Sequence, residues 1–261
     1  MTLATADSLG LGVVNYADMM DKFLAWQKGA YTVDGYFGSG RTVRTALKNY
    51  ESGMLPLESG SAEENFNGNG SLMRIYPAVI YNIQLNNLQD TTIMDNIGKL
   101  THAHPISIIA CGVYGFIVRD IMQNKSNSSE NVANAVGLAL QHYGTKYPEH
   151  IATFDRLSKP NFKDIKEENI GSSGYVMDTL EAAVWCYLNT DNFEDCVLKT
   201  VNLGGDTDST ASVAGSLAGI AYGKKSIPKD WMEGLRGQDQ LNGIFEKFYN
   251  TIENINSAEK A

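Results

Sequence analysis

The sequence predicts an all-α protein: a single compact multi-helix domain over residues 1–253, followed by a frayed tail at 254–261. Three observations lead there. Apolar residues recur at spacings of three and four in one segment after another, as at Leu180, Ala183, Val184 and Tyr187. No strand-length alternation recurs, and no repeat of fixed period is visible. Short runs rich in Gly, Asn and Ser separate the periodic segments.

Composition fits that class and narrows the function. The chain has 261 residues, 43% hydrophobic and 20% charged, enough to close a sizeable core. A formal charge of −9 argues against a phosphate-backbone binder, so no nucleic-acid partner is expected. Cys111, Cys186 and Cys196 show no CxxC spacing. A disulfide framework or zinc cluster is therefore not expected, and a reducing, cytoplasmic setting is. No apolar run reaches ~18 residues, so neither a membrane span nor a membrane partner is expected. The opening MTLATADSLG lacks the basic region and long apolar stretch of a signal peptide.

Taken in order, residues 1–9 read as a helix, and Tyr16, Met19, Met20, Phe23, Leu24 and Trp26 give the apolar face of a second. Residues 31–45, YTVDGYFGSGRTVRT, place Gly35, Gly38 and Gly40 around Phe37 and Ser39, ahead of a helix from Arg41. A glycine loop feeding a helix N-terminus is a phosphate cradle or a plain turn. Residues 55–68 are a polar loop, and NGNGS at 67–71 opens the next helix, with Ile75, Ala78, Val79 and Ile83 on one face. There Arg74 meets an anion or is solvated. Residues 93–100 form a short amphipathic helix ending in THAHP. His102 and His104 stand two apart and do not share a helix face, which makes them a poor metal pair. His102 contacts a ligand or is structural. Residues 106–122 read as a central buried helix, and 123–130 as a surface loop. Val132, Val136 and Leu140 mark another helix, and 156–170 is a charged, irregular excursion. Residues 193–201 form a short helix, Pro228 breaks the chain before a helix at Trp231, and Ile244, Phe248 and Ile252 mark the last.

Residues 201–223, VNLGGDTDSTASVAGSLAGIAYG, organise the rest. Asp206 and Asp208 flank Thr207, with Ser209 directly after, at a loop-to-helix junction. Such oxygens suit a hard cation, Mg²⁺ or Mn²⁺. They also suit an ordinary helix cap. The Gly204–Gly205 pair permits a sharp turn and a close approach, and Ala211, Ala214, Gly215, Ala218 and Gly219 permit tight helix packing.

GNGSLMR with Pro77, THAHP, SSGYVMDTLEAAVW and GGDTDSTASVAGSLAGIAYG, in that order, together resemble the ADP-ribosylglycohydrolase family over nearly the whole chain. The resemblance implies an all-helical fold with a dinuclear Mg²⁺ or Mn²⁺ centre. It implies hydrolysis of the glycosidic bond between ADP-ribose and an acceptor, either a protein side chain or a small molecule. By the same resemblance Asp206, Asp208 and Ser209 are metal ligands, and Gly38, Ser39 and Gly40 lie by the diphosphate. His102 lies by the ligand, Asn69 and Gly70 line the cleft, and Tyr175 is an aromatic neighbour. No catalytic residue is assigned.

Two departures go with it. Relatives carry GDxxGxxxE and (S/T)DDT segments ahead of the point where this sequence begins, and Gly38 stands where many bacterial relatives have an aspartate. The motifs present therefore make up part of a dinuclear site. The expectation for this polypeptide is weak metal binding and slow turnover or none. The alternative is a non-catalytic binder of ADP-ribose.

Overall fold

The computed structural model describes residues 1–36, 38–125 and 127–258; Phe37 of the glycine loop and 259–261 of the expected tail lie outside them. The described residues form twelve α-helices and several 3₁₀ turns, with two isolated bridges and no strand. The helices are α1 (Thr2–Leu9), α2 (Tyr16–Gln27), α3 (Arg41–Glu51), α4 (Tyr76–Asn86), α5 (Thr92–Lys99) and α6 (Pro105–Asn124). They continue with α7 (Ser129–Gly144), α8 (Val176–Leu188), α9 (Phe193–Asn202), α10 (Thr207–Tyr222), α11 (Lys229–Gly234) and α12 (Gln238–Ala258). The chain divides into two compact units, each discontinuous in sequence.

The first unit comprises Met1–Phe66, Arg74–His104 and Gly234–Ala261. Within it α1 packs on α2, α4 and α12. The expected apolar faces are the buried ones: Met19, Met20 and Phe23 on α2, and Ile244, Phe248 and Ile252 on α12. Charges tie the same helices at their rim. Asp7 accepts from Lys247 Nζ and from Tyr31 OH, each at 2.9 Å. The NGNGS run does not itself open a helix. A 3₁₀ turn, Leu72–Arg74, intervenes, and α4 begins at Tyr76 with Pro77 in its first turn, where a missing N–H costs nothing.

The second unit comprises Asn67–Met73 and Pro105–Glu233. Its centre is α6, buried almost without a break from Ser107 to Val118 and packed on α7, α8 and α10. By length and hydropathy α6 alone among the described residues could cross a membrane, and 72% of that window is buried inside the structure. Helix α8 is buried on all sides and α10 packs against α8 and α9. Cys111, Cys186 and Cys196 are buried and form no disulfide among the described residues, and burial pushes the Cys186 thiol up to about 11.

The irregular excursion at 156–170 contains the 3₁₀ turns Pro160–Asp164 and Glu167–Asn169 and is tied to α8 by side chains, while the preceding turn, Pro148–Phe154, packs on α7 and α6. Glu181, Trp185 and Asn189 follow at intervals of four. Glu181 pairs with Arg156, Trp185 Nε1 donates to the Ile165 carbonyl at 3.0 Å, and Asn189 Nδ2 donates to that of Lys163 at 3.1 Å. Arg156→Met leaves a nearly buried carboxylate without its charge partner. We expect a loss of about 2–3 kcal/mol in urea unfolding and earlier proteolysis within 148–170. Lys166→Met, at a solvent-facing pair with Glu168, should stay within about 0.5 kcal/mol.

Candidate active site

Three segments of the second unit meet around Asp206. Gly204 and Gly205 both take positive φ, +77° and +66°, which turns the chain between α9 and α10. That turn brings the Asp206 N–H to the Ser172 carbonyl at 2.8 Å. A Cβ on Gly205 would stand 2.2 Å from that same carbonyl oxygen. The glycine is required by both conformation and approach. The 67–73 loop joins through Asn69 N–H to Gly174 O and Val176 N–H to Asn67 O, both at 3.0 Å. The Met73 N–H closes the turn over Gly70 by donating to Asn69 O at 3.0 Å. Ser107 Oγ, from α6, anchors the loop by donating to Asn67 Oδ1 at 2.8 Å.

Asp206 occupies the cap position of α10, yet its carboxylate accepts nothing from that helix. The first turn closes without it: Thr210 donates both its N–H and its hydroxyl to the Asp206 carbonyl, at 3.1 and 2.7 Å. The carboxylate turns instead to Asn69, whose Nδ2 donates to Oδ2 at 2.7 Å. This geometry disfavours the plain cap reading, since a capping side chain spends itself on its own helix. Asp208 is exposed and has no hydrogen-bond partner among the described residues, while Ser209, three positions after Asp206, is buried. Tyr175 directly precedes α8 and is 38% exposed.

Two carboxylates and a hydroxyl are hard oxygen donors suited to part of one Mg²⁺ or Mn²⁺ shell. Among the described residues no three His, Cys, Asp or Glu side chains come together. By residue type alone, these donors suit part of the shell of one cation and not the whole shell of two.

Gly38, Ser39, Gly40 and His102 belong to the first unit. Gly40 precedes α3 without any side-chain cap, and a Cβ at Gly38 or Gly40 would meet nothing within 4 Å, so the backbone there is open. Ser39 Oγ bonds Tyr36 OH at 2.7 Å, and Trp26 packs edge-on to Tyr36. His102 is 1% exposed. Arg74, also buried, donates to Thr101 Oγ1 at 2.7 Å, and that oxygen lies 2.8 Å from His102 Nδ1. With Arg74 filling one lone pair of Thr101, the buried hydroxyl satisfies its own proton by donating to Nδ1, which leaves the hydrogen of a neutral imidazole on Nε2. Burial first, and the Arg74 charge second, hold the His102 pKa down to about 3. Arg74 is thus not solvated: it also donates to the Ile97 carbonyl at 3.1 Å and lies over the Phe23 ring.

The sign of the resulting pH dependence follows. The unfolded chain takes up the His102 proton near 6.5 and the folded chain only near 3. Stability is full above pH 6.5 and falls as pH drops through that window, by on the order of 1.4 kcal/mol per unit. His102→Gln should flatten that acid limb in urea titrations at pH 7 and pH 4.5.

Sequence reasoning missed Thr179, Ser172 and Ser173. All three lie in the SSGYVMDT motif, but what ties the motif to the rest of the site is a bond from Asn69 to Thr179, 110 residues apart, and one from the Asp206 N–H to the Ser172 carbonyl, and spacing carries no trace of either. Thr179 accepts from Asn69 Nδ2 at 2.8 Å.

Comparison with known proteins agrees with the architecture. The ADP-ribosylglycohydrolase family model matches residues 1–257. ADP-ribosylarginine hydrolase Tri1 of Serratia proteamaculans (strain 568) is 32% identical over 254 residues, which cover 95% of this chain and 65% of that protein. ADP-ribosyl-[dinitrogen reductase] glycohydrolase of Rhodospirillum rubrum is 30% identical over 240 residues, 90% of this chain and 71% of that one. The solved structure of an ADP-ribosylglycohydrolase-related protein complex superposes with a TM-score of 0.67 at 24% identity, covering 96% of this chain and 79% of its own; that likeness is one of fold.

Proposed function

Because the chain belongs to the ADP-ribosylglycohydrolase family, we propose that it hydrolyses the glycosidic bond between ADP-ribose and an acceptor, with Asp206, Asp208 and Ser209 holding Mg²⁺ or Mn²⁺. The relatives are named for ADP-ribosylarginine and for ADP-ribosylated dinitrogen reductase. We therefore take an ADP-ribosylated protein, arginine first, as the substrate class. One observation carries the reading: the Asp206 carboxylate is held off its own helix by Asn69, beside an exposed Asp208 whose carboxylate has no hydrogen-bond partner among the described residues.

The chemistry suits these residues. Cleavage at an anomeric carbon passes through an oxocarbenium-like state. A cation bound here would supply Lewis acidity and a water of lowered pKa. Asp206 and Asp208 place negative charge where positive charge develops on the sugar. Asn69, with Asp206 as its acceptor, keeps one carboxylate oxygen occupied and directs the other. Taken by itself, the open backbone of the first unit at Gly38, Ser39 and Gly40 leads into α3 and suits a diphosphate. N–H dipoles there bind an anion without adding charge, which suits an acidic chain. We assign the half-exposed Tyr175 ring to stacking on the ligand.

The absence of a three-carboxylate group among the described residues favours a second reading, an ADP-ribose binder without turnover. One assay separates the two. The protein is incubated with ADP-ribosylated arginine and serine peptides and with O-acetyl-ADP-ribose, with and without Mn²⁺, and free ADP-ribose is measured. Release that requires Mn²⁺ is expected. Binding without release would replace the enzyme by the binder, and neither result would refute both.

A further inference from the structure

Thr179 is fully buried in the first turns of α8, and no role in the reaction is assigned to it. Its hydroxyl has one proton and two lone pairs. The proton goes to the Ser173 carbonyl at 3.3 Å. What remains for Asn69 is a lone pair, and Asn69 Nδ2 donates to it at 2.8 Å. The second Nδ2 hydrogen goes to Asp206 Oδ2 at 2.7 Å. Backbone bonds at both ends of Asn69, to Gly174 and from Met73, fix where the amide sits.

This arrangement permits only one orientation of the amide. Turned over, Asn69 would place its carbonyl oxygen against the Asp206 carboxylate, two acceptors at hydrogen-bond distance. On the other side its oxygen would need the Thr179 proton, which Ser173 holds. We propose that Thr179 is a positioning residue for the hydrolytic site: by accepting one Asn69 amide hydrogen it locks the amide so that the other orients the Asp206 carboxylate. The chain of bonds runs Ser173, Thr179, Asn69, Asp206. It joins segments 110 and 137 residues apart and stays within one compact unit. Its importance for turnover rests on the hydrolase reading above, but its existence does not.

The test therefore reads the bonds and the site separately. In ¹⁵N–¹H spectra of the whole chain, both Asn69 side-chain amide protons should exchange slowly. Thr179→Val keeps the shape and removes the acceptor. It should shift the Asn69 amide pair upfield, speed its exchange about tenfold or more, and weaken Mn²⁺ binding, followed by electron paramagnetic resonance, by about 10- to 100-fold, as for other partners of ligating groups. Thr179→Ser restores the hydroxyl and should restore both signals. If Thr179→Val does not fold, Asp206→Ala serves instead: one Asn69 proton should move and the other stay. An Asn69 amide pair unchanged in Thr179→Val, or Mn²⁺ affinity unchanged while the amide pair moves, overturns the proposal. A wild-type chain that binds no Mn²⁺ with its Asn69 protons locked contradicts the cation site and upholds the lock.

Discussion

Gly205→Ala should cost about 3 kcal/mol and lower Tm by roughly 6–10 °C. Two terms add. The backbone at this position has φ +66°, where a side chain carries strain of about 1–2 kcal/mol. The new methyl would also stand 2.2 Å from the Ser172 carbonyl oxygen, an atom of the backbone that cannot swing aside. Relief requires the loop to pull back, which breaks the 2.8 Å bond from the Asp206 N–H to that carbonyl. Stability and Mn²⁺ affinity should therefore fall together. Gly204→Ala is the control. Its φ is +77° but nothing lies within 4 Å of the added carbon, so only the strain of about 1 kcal/mol applies. Equal losses in the two variants would show that the close approach to Ser172 is not what holds the loop.

Asp206→Asn should leave the fold in place and reduce Mn²⁺-dependent release of ADP-ribose by about a thousandfold. The amide oxygen still accepts from Asn69, and the helix start does not need the carboxylate, because Thr210 closes it through the backbone carbonyl. Unfolding free energy should change by less than about 1 kcal/mol. What is lost is the negative charge that the proposed cation and sugar would face. Asp208→Asn should cost no stability, since that side chain is exposed and unengaged among the described residues. Retention of full turnover by Asp206→Asn would remove the residue from the mechanism.

Much of the fold is legible in the sequence because helical periodicity is local. The buried faces of α2, α8 and α12 could each be read from spacing, and the GGDTDS junction could be read as a candidate site from its residue types. The rest depends on contacts that spacing does not encode. Spacing leaves open whether Asp206 caps its helix or faces elsewhere, because the group that takes its carboxylate, Asn69, lies 137 residues away. His102 has the residue type of a ligand contact, but its burial beside Arg74 and Thr101 arises from α2, α5 and the loop after α5 closing over it. The excursion at 156–170 looks irregular because its short 3₁₀ turns leave no helical period and its anchors are side chains of α8 and the residue after it. The division into two interleaved units left no mark in composition, because neither unit is continuous.

The central claim is that the Asp206–Ser209 junction holds a divalent cation. Crystals of the protein soaked in Mn²⁺ and measured at the manganese absorption edge test it most directly. The account predicts an anomalous peak within about 2.0–2.6 Å of Asp206 and Asp208 oxygens. An empty map there, with Asn69 still bonded to Asp206 and Asp208 pointing into solvent, would contradict it.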